Sequence, residues 1–193
     1  NTRDAVYNTQ TNEYIGFESN PPRLVKINLE TGDATTIIIP NEDITSTSDF
    51  SDMTIDGNNN VYVFHDDVGK LATINLTTGV MFYVADDIEY GQNTRGSVWN
   101  SDTNEYIGLE VGDDAARLVK INIETGSSTI VNLPADMIID ASSFKNLSID
   151  DENNLYAFHG DVKKMARINT ETGALTYITE EIDGYRQPLR SNS

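Results

Sequence analysis

An all-β fold made from four copies of one four-stranded sheet is what the sequence predicts, and three observations predict it. A phrase ending in Thr-Gly returns every 47 residues, with its glycines at Gly32, Gly79, Gly126 and Gly173. Inside each copy apolar and polar residues alternate at the period of two that a strand requires, as Val25, Ile27 and Leu29 do against Lys26 and Asn28. Clusters of Asn, Asp, Gly and Thr, the residues that tight turns select, separate these runs.

The first copy shows each element in order. DAVYN at Asp4–Asn8 reads as a first strand, EYIGFE at Glu13–Glu18 as a second, RLVKINLE at Arg23–Glu30 as a third and ATTIIIP at Ala34–Pro40 as a fourth. Thr31-Gly32 supplies the positive-φ position of a hairpin after the third strand. In the other copies Asp56-Gly57-Asn58-Asn59 and Asp150 to Asn154 make the turn between the first two strands. The third strand and its hairpin recur as KLATINLTTG, RLVKINIETG and KMARINTETG, and Ile27, Ile74, Ile121 and Ile168 keep the same spacing of 47. Units one and three resemble each other most: TNEYIGFE at Thr11–Glu18 returns as TNEYIGLE at Thr103–Glu110. Units two and four share NNVYVFHDDVGK at Asn59–Lys70 and NNLYAFHGDVKK at Asn153–Lys164. The order is A-B-A-B, which predicts a pseudo-twofold axis.

Four antiparallel strands per repeat of about 40 to 50 residues is the pattern of a β-propeller blade. The run Val61-Tyr62-Val63-Phe64 is apolar on both faces, as a strand between two neighbouring blades must be. The expected chain is a single domain with blades over about 1–46, 47–92, 93–140 and 141–185 and a tail at 186–193. The phrases D-x-x-N-N-L-Y-A-F at Asp150–Phe158 and MARINTETG at Met165–Gly173 resemble the bacterial β-propeller repeat family with blades reading N-x-L-Y-A … L-x-x-I-N-x-x-T-G. The resemblance runs through all four units and is closest in the second and third strands. The single tryptophan, Trp99, does not build the tryptophan motif of quinoprotein repeats. Because that family hosts lectins, enzymes and scaffolds, the resemblance implies a fold and leaves the chemistry open.

Ring closure has three readings. Tyr185, Gln187 and Arg190 reproduce Tyr90, Gln92 and Arg95, and Asn1-Thr2-Arg3 repeats Asn93-Thr94-Arg95, so the sequence ends as though another blade were beginning. The chain is a closed four-bladed monomer, a piece of a longer array, or half of an eight-bladed ring made by two chains. The closed monomer is expected, since bare blade faces would be large apolar patches.

Composition narrows the partners. With 31 acidic and 13 basic residues the net charge is −18, which repels phosphate backbones and anionic surfaces, so nucleic acid is not expected. No run approaches the roughly 20 apolar residues of a membrane helix, so no membrane insertion is expected. The absence of cysteine excludes disulfides, thiolate metal sites and cysteine nucleophiles. The first residue, Asn1, suggests a processed or trimmed chain, and an extracytoplasmic or secreted bacterial protein is the expectation.

Candidate chemistry is sparse. His65 and His159 close the second strands of the B units, each two residues before an aspartate, Asp67 or Asp161, and imidazole with carboxylate suits divalent metals. Glu18 and Glu110 hold the neighbouring position in the A units, so these side chains could ring one mouth of the propeller; each is equally read as a structural or solvated copy of its ancestor. Arg3 and Arg95 precede the first strands, which line the central channel, and either bind an anion or pair with the abundant acids. Tyr7 and Trp99 are sugar-stacking or core aromatics. The turns at Asp56 and Asp150 are not calcium loops, because Val61 and Leu155 stand where the required glycine would be. No nucleophile-elbow, phosphate-loop or zinc-protease motif occurs.

The expectation is therefore a non-catalytic binding or scaffold module for a carbohydrate or protein ligand, with no cofactor unless a divalent cation sits in the channel or beside His65 and His159. The alternatives are a metal-assisted hydrolase or lyase using His65, His159, Glu18 and Glu110 at the channel mouth, and an assembly unit that dimerises into a larger ring.

Overall fold

The computed structural model describes residues 2–19, 21–40, 50–86, 88, 94–112, 115–134 and 144–182, and of Thr2, Arg3, Ser19 and Asp67 the backbone only. The tail at 186–193 and the connector residues Tyr90 and Gln92 lie outside these residues. Four four-stranded sheets follow one another: β1 Thr2–Asn8, β2 Glu13–Ser19, β3 Pro22–Asn28 and β4 Ala34–Ile38; β5 Phe50–Ile55, β6 Val61–His65, β7 Lys70–Ile74 and β8 Met81–Ala85; β9 Thr94–Asn100, β10 Glu105–Val111, β11 Ala116–Asn122 and β12 Ser128–Asn132; β13 Phe144–Ile149, β14 Leu155–His159, β15 Lys164–Ile168 and β16 Leu175–Tyr177. Each sheet is an antiparallel meander in chain order, and together they form a four-bladed β-propeller in the A-B-A-B arrangement.

The repeated phrase is explained by its hairpin. Asn28 Oδ1 accepts the backbone N–H of Glu30 and of Thr31, both at 2.9 Å, and Gly32 N–H returns to the Asn28 carbonyl at 2.9 Å. Asn75, Asn122 and Asn169 make the same turn. The glycines take φ of 71 to 77°, a left-handed conformation that penalises a Cβ. Because Asn28 starts the turn, the third strand stops there instead of reaching Glu30, and Leu29 is exposed.

The first turn of each blade is closed by the carboxamide or carboxylate that ends the first strand. Asn8 Oδ1 accepts from Gln10 and Thr11 N–H, and Asn100 Oδ1 from Asp102 and Thr103 N–H. Asp56 Oδ1 accepts from Asn58 and Asn60 N–H, and Asp150 Oδ1 from Glu152 and Asn154 N–H. These are the Asx turns expected of Asp56 and Asp150. Asn12, Asn59, Asn104 and Asn153 supply the positive-φ residue that each turn needs, at 54 to 65°.

The blades are held by apolar cores between them. Val61 and Val63 join the core with blade 1, around Ile15, Phe17, Leu24 and Phe50. Tyr62 and Phe64, on the other face of the same strand, join the core with blade 3, around Tyr106, Val119 and Ile121. A third core, around Ile107, Leu109, Leu118, Phe144 and Leu155, joins blades 3 and 4. Polar latches accompany them: the Asp4 carboxylate accepts Met53 N–H, Asp52 Oδ1 accepts Gly96 N–H at 3.0 Å, and Tyr106 Oη donates to the Asp52 carbonyl at 3.0 Å.

Among the described residues no shared core joins blade 4 to blade 1. The hairpin glycines report the same thing. A methyl group on Gly79 would collide with the Ile38 carbonyl oxygen, on Gly173 with that of Asn132, and on Gly126 it would lie 3.1 Å from that of Val84; on Gly32 it would meet nothing within 4 Å. Among the described residues, then, blade 4 shares no core with blade 1, and Tyr14 is 44% and Ile27 37% exposed where the closed monomer expected from the sequence would bury them.

Candidate functional site

The first strands stand side by side at the centre, and their side chains line a cavity of about 720 Å³. All four contribute: Tyr7, Asn8 and Gln10 from blade 1, Ile55 and Asp56 from blade 2, Ser97, Trp99 and Ser101 from blade 3, and Ile149, Asp150 and Asn153 from blade 4. The cavity opens at the end where the Asx turns lie, so turn residues form its rim. Rim residues also tie blades together, through Asn59 Nδ2 to Gln10 Oε1 at 2.8 Å and Ser101 Oγ to Asn153 Oδ1 at 3.4 Å. Trp99 stacks on Tyr62 with parallel rings 5.4 Å apart, and the half-exposed Tyr7 donates its hydroxyl to Asn12 Oδ1 at 2.9 Å. Asn8 is buried, and its Nδ2 has no hydrogen-bond acceptor among the described residues.

Two tyrosines fix the aspartates of this rim. Tyr62 Oη donates to Asp56 Oδ2 at 3.1 Å and Tyr156 Oη to Asp150 Oδ2 at 2.9 Å. Burial, with the Asp56 carboxylate beside it, pushes the Tyr62 phenol well above the ordinary tyrosine range. The hydrogen bond to Asp150, with burial, also raises the Tyr156 phenol. Burial alone would raise Asp150, but hydrogen bonds from the Asn154 side chain and N–H, from Tyr156 and from Glu152 N–H outweigh it and hold the carboxyl below its usual value. These carboxylates are structural anchors of the turns that also present negative charge to the cavity.

The opposite end of the channel holds a second cavity of about 430 Å³, lined by Asp4, Asp52, Asp66, Arg95, Lys145 and Asn146 among others. Burial raises the Asp4 carboxyl, against the N–H groups of Met53 and Ala5 that lower it. Arg95 Nη1 donates to the Thr94 carbonyl at 2.9 Å, and the guanidinium faces this mixed-charge mouth. Arg3 lies on β1, with its side chain outside the described residues.

The other residues singled out in the sequence are placed elsewhere. His65 is fully buried, stacked on Phe50 at 4.2 Å, with Nδ1 2.8 Å from Tyr83 Oη; His159 repeats this with Phe144 at 4.3 Å and Tyr177 Oη at 2.8 Å. Neither ring lines the two central cavities. Glu18 pairs with Arg23 and Glu110 with Arg117, each across the β2–β3 or β10–β11 ladder. Asp161 is exposed in the β14–β15 turn, and the Asp67 side chain is outside the described residues. Among the described residues no group of three or more His, Asp and Glu side chains could hold a metal ion. No helix among them is long and apolar enough to cross a membrane. Asn8, Asp56, Asn100 and Asp150 carried one legible signal, a polar residue closing the first strand in every repeat, whereas Gln10, Ser101 and Asn153 lie in the turns beyond and carried none.

No family model matches the chain, and no curated protein sequence does. Solved structures match its fold. A catalytically inactive His-to-Ala variant of virginiamycin B lyase from Staphylococcus aureus, with quinupristin, superposes with a TM-score of 0.64 at 12% identity, over 91% of this chain and 54% of that one. A streptogramin B lyase gives 0.65 at 12% identity, over 91% and 53%. A chain of the nidogen/laminin complex gives 0.55 at 11% identity, over 92% and 79%. The chain spans about half the length of these lyases.

Proposed function

We propose that this protein is a non-catalytic binding module whose ligand enters the Asx-turn end of the channel. The observation that carries the reading is the cavity of about 720 Å³, to which all four first strands bring carboxamides, hydroxyls and carboxylates beside the aromatic faces of Tyr7 and Trp99. A neutral, hydroxyl-rich ligand such as an oligosaccharide suits that lining: hydroxyls satisfy the amides and carboxylates, and sugar rings cover aromatic faces. Asp56 and Asp150 also disfavour anions there. The lyase among the fold relatives is inactivated by loss of a histidine. Both histidines of this chain are packed inside blades 2 and 4, which favours binding over chemistry of that kind.

Trp99 is the single tryptophan, so its emission reads the cavity directly. Titration with cello-, xylo-, manno- and chito-oligosaccharides is expected to shift that emission saturably for one of them, and Gln10→Ala with Ser101→Ala to weaken the response about tenfold. No shift with any of the four series would refute a saccharide site at this mouth.

A further inference from the structure

The A-B-A-B order gives blade 4 the same outward face as blade 2 and blade 1 the same inward face as blade 3. In the joint between blades 2 and 3, Tyr62 and Leu71 of one blade meet Tyr106, Val119 and Ile121 of the next, and Ile88 closes the group. The counterparts on blade 4 are Tyr156, Met165 and Ile182; those on blade 1 are Tyr14, Val25 and Ile27. Both sets of counterparts are part or fully exposed, with Ile182 at 42% against 5% for Ile88. Gly32 likewise faces open space where Gly126 abuts blade 2.

We propose that these two faces are the halves of one joint, and that two copies of this chain dock through it twice, head to tail about a twofold axis, to close a ring of eight blades. Blade 4 of each copy meets blade 1 of the other, repeating the internal contact between blades 2 and 3 group for group. The occupant is a second copy because the surface each face requires is the one the same chain carries at its other end. Each arc then supplies half of one channel, so this assembly goes beyond the binding reading and is tested without any ligand. Because each chain carries a charge of −18, added salt strengthens the docking of two such chains.

The test is light scattering with sedimentation velocity on the 193-residue chain over a concentration series. The expected result is a doubling of mass that saturates at the dimer and moves to lower concentration as sodium chloride is raised. Tyr14→Lys and Met165→Lys each return the monomer with an unchanged circular dichroism spectrum, and mixing the two variants restores a dimer held by one intact joint. A monomer at every concentration, a dimer that survives both substitutions, or open-ended filaments would each overturn the ring.

Discussion

The joint between blades 2 and 3 and the paired faces of blades 4 and 1 are built from nearly the same residues and have opposite fates. Tyr106 is 0% exposed and its copy Tyr14 is 44%; Ile121 is 0% and its copy Ile27 is 37%. Burial here is set by the presence of a neighbour, not by residue type, because a blade face cannot cover itself. The difference also grades the aspartate anchors: Asp56, beside the packed joint, is buried, whereas Asp150, beside the open face, is half-buried.

Paired substitutions break that comparison most forcefully in the core. Tyr106→Ala, which empties a buried ring site and removes the hydrogen bond to the Asp52 carbonyl, is expected to cost about 3–5 kcal/mol in urea unfolding. Tyr14→Ala in the dilute chain stays within about 0.5 kcal/mol. At the hairpins, Gly32→Ala carries only the left-handed penalty of about 1 kcal/mol, while Gly79→Ala adds a clash with the Ile38 carbonyl and costs at least about twice as much by the same measurement. Equal losses at the two glycines would mean that blade 4 already covers Gly32.

Smaller effects sharpen the contrast at the rim. Tyr62→Phe withdraws a donor from the buried Asp56 and is expected to cost about 1–2 kcal/mol, with a visibly smaller loss for Tyr156→Phe. Alkali acts in the same order. With its folded pKa raised, the Tyr62 phenol stays protonated after an unfolded tyrosine ionises, so stability falls as pH rises above about 10. That limb should shrink in Tyr62→Phe when melting temperature is followed against pH. Asp150 has the opposite sign: its folded pKa is lowered, so its contribution is present above the usual carboxylate pKa and disappears as pH falls below about 4. Asp150→Asn should flatten the acid limb of the same curve, by the least of these effects.

The blade count, the strand order within each blade and the A-B-A-B pairing were legible because repetition multiplies a weak strand signal fourfold. The role of Asn28 and its copies was hidden: alternation carries the apparent strand on to Leu29, and only the carboxamide's bonds to the Glu30 and Thr31 N–H groups end it. The surroundings of the histidines were hidden for a related reason. A duplicated imidazole two residues before a carboxylate looks like a ligand pair in one dimension, yet its stacking on Phe50 or Phe144 depends on a neighbouring strand that sequence spacing does not reveal. The rim residues come from four turns far apart in the chain, so no local motif could gather them. Closure was equally out of reach, since it depends on curvature accumulated over all the blades.

The Asx-closed meander also sets the order in which the chain can fold. Among the described residues every ladder joins strands adjacent in sequence, and every apolar core joins consecutive blades. A ribosome releasing the chain from its N-terminus therefore delivers each blade to a partner already formed, and no early strand waits for a distant one. Among the described residues, what such vectorial pairing leaves uncovered is the face of blade 1 that carries Tyr14 and Ile27 and the face of blade 4 that carries Ile182.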